Sequence, residues 1–228
     1  MNFEKNNLNL STSPYLRQHQ DNPIAWQEYS EEVVQYAQSK VLPLFISIGY
    51  ATCHWCHVMA NDTFSNTDVA EYMNENFICI KVDREQRPDI DSYCMNFIQA
   101  NYGQGGWPLN VVMTPDLKPF FATTYLASTP RGGMPGFVEA MTQVLDFYKE
   151  NKNKLSTFEL QSPQESTLDS VDLEQYIQQF DKENGGFVAN AKFPPHCSLL
   201  FLLSNEEAMA NPQISSWAKN SLDIMQNS

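Results

Sequence analysis

No stretch of the 228-residue sequence approaches the roughly 18 apolar residues that a membrane span requires. The first twenty residues are polar and Asn-rich, without the basic-then-apolar run of a secretory signal, so a cytoplasmic location is expected. Basic residues are scarce: 14 Lys and Arg against 27 Asp and Glu give a net charge of −13, with no basic run. Such a chain is not drawn to phosphate polyanions, which argues against nucleic acid and anionic membranes as partners. Cysteine is sparse too. Five residues at irregular spacing do not make a disulfide framework. Internal repeats are lacking. What the chain does have is apolar residues at 42% against 18% charged, enough for a packed core and too many for wholesale disorder.

The cysteines sort by their surroundings. Cys79 lies in the apolar run Phe77-Ile78-Cys79-Ile80 and Cys94 in a helix-like run, where both read as small buried core residues. Only Cys53 and Cys56 form a close pair.

Hydrophobic spacing orders the chain. Asn22-Pro23 reads as an N-cap and first helical residue, with Trp26, Tyr29, Val33 and Ala37 recurring at helical spacing up to Pro43. Leu44–Ile48 reads as a strand, Cys53–Met59 as a helix start, and Asn66–Asn76 as a second helix. A strand over Phe77–Val82 and a helix from Pro88 to about Gln99 follow. Strands at Leu109–Thr114 and Phe120–Tyr125 flank the turn Pro115-Asp116-Leu117-Lys118, and a helix covers Phe137–Tyr148. Long crossovers make the first two strands parallel, whereas the hairpin makes the last two antiparallel. An α/β chain with this mixed central sheet flanked by helices, and Cys-x-x-Cys after an early strand, has the layout of the thioredoxin fold. Residues 1–154 are assigned to that domain. The Ser-, Thr-, Gln- and Glu-rich stretch 155–171 is read as a linker. Residues 172–228 are read as a partial helical extension with one apolar segment, Leu199–Leu203, and too little else for a core of its own.

Cys53 and Cys56, three apart at a helix start, lie on one face. The unpaired N–H groups and positive end of that helix favour a thiolate at Cys53. Lowering a thiol pKa from about 8.5 to about 7 raises the thiolate from about 3% to about half at pH 7. Cys53 is therefore the candidate attacking sulfur and Cys56 the resolving one. His54, when protonated, acts in the same direction. Pro108 after Trp107, just ahead of a strand, is expected in the cis form, leaving backbone groups free to pair with an extended substrate. Asp83 and Arg84 follow a strand end. They either face the dithiol, with Arg84 favouring the thiolate, or form a solvated salt-bridged loop.

Other chemistries share these residues. Cys53-His54-Trp55-Cys56-His57 satisfies the Cys-x-x-Cys-His pattern of haem attachment, which would require export. Two thiolates and an imidazole are also plausible zinc ligands, but a second ligand pair is missing, since His19 and His196 are distant in sequence. The rival reading is a module that binds partners, with the cysteines incidental. No cofactor and no metal are expected on the leading reading. Its partners are protein or small-molecule disulfides, with an unspecified reductant.

Several long motifs occur in order: Ser13-Pro14-Tyr15-Leu16-Arg17-Gln18-His19, Asn22-Pro23, Gly49 through Met59, Lys81-Val82-Asp83-Arg84-Glu85, Arg87-Pro88-Asp89 and Gly105-Gly106-Trp107-Pro108-Leu109. Over about residues 5 to 150 they resemble the thioredoxin-like domain of the spermatogenesis-associated protein 20 family. The resemblance implies thiol–disulfide exchange, which falls on Cys53 and Cys56; Trp55, His57, Trp107 and Pro108 are the candidates for shaping the site around them. Members of that family continue into an (α/α)6 toroid of the glycosidase or epimerase type. Asn184-Gly185-Gly186-Phe187 and Ala191-Lys192-Phe193-Pro194 resemble its opening, but residues 172–228 are too few to close the ring, so no toroid function is carried over. Two departures from ordinary thioredoxins stand out. His54-Trp55 replaces the Gly-Pro between the cysteines, and Ser47 stands where thioredoxins hold a buried Asp for proton transfer. Asp83 and His57 are then the candidate bases.

Overall fold

The computed structural model describes residues 2–159, 173–189 and 194–227. The chain divides into two units, Met1–Ser162 and Pro163–Ser228.

In the first unit a 3-10 turn (Leu8–Leu10) leads to α1 (Pro14–Arg17), β1 (Gln27–Glu28), α2 (Glu31–Lys40), β2 (Leu44–Gly49), α3 (His54–Asp62) and α4 (Thr67–Asn76). Then come β3 (Ile78–Asp83), α5 (Pro88–Tyr102), β4 (Leu109–Met113), β5 (Pro119–Thr123) and α6 (Phe137–Asn151). The strands form one sheet in the order β1-β3-β2-β4-β5. β3 lies parallel to both β1 and β2, while β4 runs antiparallel to β2 and β5. This mixed sheet with helices on both faces is the thioredoxin fold.

Because both faces are covered, β2 and β3 are buried along their whole length and read as apolar runs. The period-2 alternation still sorts their side chains. Leu44, Ile46, Ile48, Ile78, Ile80 and Val82 pack on one face with Val33 and Ala37 of α2 and Cys94 and Phe97 of α5. Phe45 and Cys79 pack on the other with α1, α3, α4 and α6, in a core centred on Trp26, Phe64, Phe77 and Phe137. On that second face the alternation continues through Ser47 and Gly49 of β2, paired with Lys81 and Asp83 of β3. A polar stripe thus runs toward the strand ends inside an otherwise apolar layer.

The helix expected from Asn22 does not start there. α2 begins at Glu31, capped by the Ser30 side chain on the Val33 N–H. Trp26 and Val33 share a helical spacing, yet they belong to opposite faces of the sheet. Gln27–Glu28 crosses between them as a short edge strand on β3. Asn22 instead bonds His19 and Ser65. The other helix starts expected from capping residues occur: Asn66 caps α4 through its side chain, and Pro88 opens α5.

The segment read as a linker mostly lies outside the described residues. Its first residues pack on the first unit, however: Phe158 sits 5.3 Å from the Phe97 ring and accepts from the Tyr93 hydroxyl.

The second unit contains α7 (Leu173–Gln178), α8 (His196–Ser204), α9 (Glu206–Ala210) and α10 (Pro212–Asn227). It does have a small core, contrary to the expectation from Leu199–Leu203 alone: Phe180, Leu199, Leu202, Ala208, Ile214, Trp217 and Ala218 are buried together. Phe180 stacks on Trp217 at 4.1 Å, and the Trp217 indole N–H donates to the Gly186 carbonyl. One aromatic pair supplies the area that the short apolar segment lacks. Of the two motifs that resemble the toroid's opening, Asn184–Phe187 is described, whereas residues 191–193 of the other lie outside the described residues.

Candidate functional site

Cys53 is the N-cap of α3, and its Sγ accepts the Cys56 backbone N–H at 3.2 Å. The two sulfurs are joined in a disulfide, with Cα atoms 5.2 Å apart. The cap position follows from local sequence. The turn at Ala51-Thr52 ends β2, and the Cys53 side chain takes the place that Ser or Asp would occupy at an ordinary helix start. An N–H aimed at Sγ and the positive helix end both favour negative charge on Cys53 once the bond opens. Cys56 lies a turn further in. Both are nearly enclosed, at 3% and 1% exposure.

The residues between and after them face outward. Trp55 is 54% exposed and leans on the Tyr125 ring at 5.2 Å, with the His54 ring against its edge. His57 is also exposed, its Nε2 within 2.9 Å of the Ala51 carbonyl. That contact turns the imidazole back on the loop before the motif. Among the described residues, no three His, Cys, Asp or Glu side chains converge as metal ligands.

The Trp107–Pro108 peptide bond is cis. Trp107 is held from two sides. Its indole N–H donates to Asp91 Oδ1 at 2.7 Å, and the Arg84 guanidinium lies over its ring at 3.9 Å. Arg84 also reaches Asp91 Oδ2 at 3.4 Å and the Tyr50 ring at 5.6 Å. Arg84 is therefore engaged with Trp107 and Asp91 rather than wholly solvated, with 37% of its side chain exposed. Asp91, absent from the sequence reading, closes this arrangement from the first turn of α5. Its signal was weak: one of two acidic residues after a helix-starting proline.

Asp83 is likewise not solvated. It is 5% exposed, accepts the Ser13 hydroxyl at 2.6 Å through Oδ2, and accepts the Glu85 N–H through Oδ1. Ser13 caps α1 and so hangs the Ser13–His19 motif on the end of β3. Ser47, in place of a carboxylate, accepts from the buried Lys81 amine at 2.9 Å. The Lys81 Nζ lies over the rings of Phe64 (4.4 Å), Trp26 (5.0 Å) and Tyr15 (5.7 Å). Burial drives the Lys81 pKa well below its ordinary value. Ring faces favour a cation by only about 0.5–2 kcal/mol, so they offset that penalty in part.

Gly49, at the end of β2, makes close approach possible. A methyl group added there would collide with the Tyr15 Oη and the Cys56 Sγ. Gly49→Ala is accordingly expected to lower stability by about 1–3 kcal/mol through overpacking, read as a lower urea midpoint at unchanged slope. An unchanged midpoint would mean that Tyr15 and α3 are free to move apart.

Beyond Trp55 the surface opens into a groove of about 1160 Å³ along the edge strand β5. Trp55, Tyr102, Trp107, Phe120, Tyr125 and Phe147 are among its lining side chains. Trp55, Tyr102 and Phe147 are each about half exposed. Sequence alone placed Trp55 and Trp107 at the site. It did not show that β5 and α6 extend their surface.

Residues 5–165 match the family model Thioredox_DsbH, described as "Protein of unknown function, DUF255". An uncharacterized protein of Caenorhabditis elegans is 38% identical over 235 residues, covering 97% of this chain and 32% of that protein. Spermatogenesis-associated protein 20 of Mus musculus is 39% identical over 219 residues, covering 87% of this chain. The chain thus spans less than a third of these relatives, 32% and 28% of their lengths. A solved structure titled "DsbH Oxidoreductase" aligns with a TM-score of 0.40 at 16% identity, covering 55% of this chain and 85% of its own. With its family model matched across the first unit, the chain belongs to the Thioredox_DsbH (DUF255) family, as a thioredoxin-like domain resembling that of spermatogenesis-associated protein 20.

Proposed function

We propose that the chain is a thiol–disulfide oxidoreductase, with Cys53 as the attacking sulfur and Cys56 as the resolving one. The observation that carries the reading is the Cys53–Cys56 bond at the N-cap of α3, with a backbone N–H directed at Cys53. A Cys53 thiolate attacks one sulfur of a substrate disulfide, forming a mixed disulfide and releasing the first substrate thiolate. Cys56 then attacks Cys53 Sγ, the protein disulfide closes, and the second substrate thiolate leaves. The substrate gains two electrons and the dithiol loses them. An external dithiol reductant restores the pair.

Polypeptide disulfides are the substrate class that the surroundings favour. The groove beside Trp55 presents aromatic faces along an unpaired strand edge, which suits an extended apolar segment better than a small thiol. Trp107, clamped by Arg84 and Asp91, is assigned to shaping that surface. The cytoplasmic location forms part of the same proposal, consistent with the free thiols Cys79, Cys94 and Cys197.

The test is an equilibrium titration of the whole chain in dithiothreitol redox buffers, with acid quench, alkylation under denaturing conditions and peptide mass readout. Cys53 and Cys56 are expected to become protected together in one two-electron transition while the other three cysteines stay alkylated. A metal assay accompanies it. Stoichiometric metal released by thiol modification, or thiols at both positions at every poise, would overturn the reading. The second outcome favours a binding module, which the enclosure of both sulfurs also suits.

A further inference from the structure

We propose that the Tyr15 hydroxyl is the hydrogen-bond donor that steadies Cys56 as a thiolate once the Cys53–Cys56 bond opens, making Tyr15 a positioning residue for the resolving sulfur. The inference rests on the redox reading above and extends it to a residue outside the Cys-x-x-Cys motif.

Tyr15 is 1% exposed, and its buried hydroxyl has no hydrogen-bond partner among the described residues. A buried polar group left unsatisfied destabilises the fold, a cost that a phenylalanine of the same shape would avoid. The polar groups around it are already engaged: Ser13 with Asp83 and the Leu16 N–H, and Lys81 with Ser47. Across Gly49 from the hydroxyl lies the Cys56 sulfur. Tyr15 Oη and Cys56 Sγ flank the same point over Gly49, where no side chain intervenes.

In the disulfide, Cys56 Sγ is neutral and a weak acceptor. Reduction turns it into a thiol or thiolate, and a thiolate accepts a charge-assisted hydrogen bond. The unmet donor therefore has a partner in the state that must do chemistry. Burial, together with the nearby Asp83 carboxylate, raises the Tyr15 pKa, so the phenol keeps its proton and donates a hydrogen bond without transferring it. In the resolution step the Cys56 thiolate attacks Cys53 Sγ, the Cys53–substrate S–S bond breaks, and the departing thiolate takes a proton from water.

The titratable groups on the elements around Cys56 are His54, His57 and Asp62 on α3, Arg17 on α1 with His19 just beyond it, and Cys79, Lys81 and Asp83 on β3. Asp83 opposes a thiolate here, which increases the value of a donor. Tyr15→Phe leaves all of these groups in place.

The test compares the whole chain with its Tyr15→Phe variant in two measurements. In the first, both are equilibrated with dithiothreitol. Loss of the donor is expected to shift the dithiol–disulfide equilibrium about tenfold toward the disulfide, because only the reduced form loses a hydrogen bond. In the second, the alkylation rate of Cys56 is followed against pH in a Cys53→Ser background. Its midpoint is expected to rise by about one pH unit when Phe replaces Tyr. Urea unfolding of the oxidised variant should show stability equal to or above that of the unmutated chain, separating this effect from damage to the fold. Superimposable equilibria and pH profiles in a chain that still titrates as a two-electron pair would overturn the assignment of Tyr15 alone. An unmutated chain whose cysteines never pair would overturn the redox reading, and the Tyr15 role with it.

Discussion

Cys53→Ser is expected to reduce the turnover of a disulfide-bonded protein such as insulin, with dithiothreitol as reductant, to the uncatalysed background. Cys56→Ala should behave differently. It retains the attacking sulfur but cannot release the product, so a mixed disulfide on Cys53 should accumulate to about one equivalent and persist until added reductant resolves it. The asymmetry comes from the helix start. Cys53 occupies the cap, with the Cys56 N–H directed at its sulfur, whereas Cys56 sits inside the first turn. That N–H and the positive helix end raise the thiolate share of reduced Cys53 above that of an unperturbed cysteine. A serine hydroxyl is not ionised at neutral pH and offers no comparable nucleophile. Non-reducing mass spectrometry of each variant after exposure to substrate provides the readout. Trapping on Cys56 in place of Cys53, or equal activity in all three chains, would contradict the assigned roles.

The order of strands and helices was legible because the sheet is covered on both faces. Continuous apolar runs such as Leu44–Ile48 and Phe77–Val82 have few other uses in a chain of this composition. The dithiol was legible from spacing alone. The misreading at Asn22 has a clear cause: spacing along the chain cannot distinguish one helix face from two sides of a sheet. Trp26 and Val33 fill different layers although their separation fits one helix. The two-residue strand Gln27–Glu28 is too short to carry a periodic signal. Within the site, missed residues were those whose role depends on distant partners. Tyr15 meets Cys56 across Gly49, and Asp91 meets Trp107 and Arg84 from another helix. The absence of a carboxylate at Ser47 could be read from sequence. That Lys81 stands opposite it could not, because the pairing of β2 with β3 sets that register. The near-complete burial of both sulfurs is likewise a property of packing.

Polar groups sealed into this layer should also govern the pH dependence of stability. His19 is 2% exposed. Its Nδ1–H donates to Asn22 Oδ1, since the Asn22 amide nitrogen already donates to Ser65 and Ala60. Burial first, and the neighbouring Lys81 second, depress the His19 pKa from its ordinary value to about 2. The folded chain therefore keeps His19 neutral in a range where the unfolded chain protonates it. Above pH about 6.5 both states are neutral and His19 adds no pH dependence. Below that point the unfolded state gains a proton that the folded state refuses, and stability falls by about 1.4 kcal/mol per pH unit. Between pH 6.5 and 4.5 the loss is about 2 kcal/mol, a substantial part of the 5–15 kcal/mol typical of a domain. On the alkaline side, burial raises the thiol pKa of Cys79, and that of Cys94 to about 12. Above pH about 8.5 the unfolded thiols ionise while the folded ones do not, so stability falls again as pH rises. Lys81 opposes this fall, because its depressed pKa makes folding more favourable as pH rises toward about 10.4. Two thiols outweigh one amine, which leaves a stability maximum near neutral to mildly alkaline pH. Urea unfolding of the oxidised chain from pH 8 to 4.5 should show the acid slope, and His19→Gln should flatten it over that window. Parallel curves for the two chains would mean that His19 is protonated in the folded state and that the layer around Lys81 admits water.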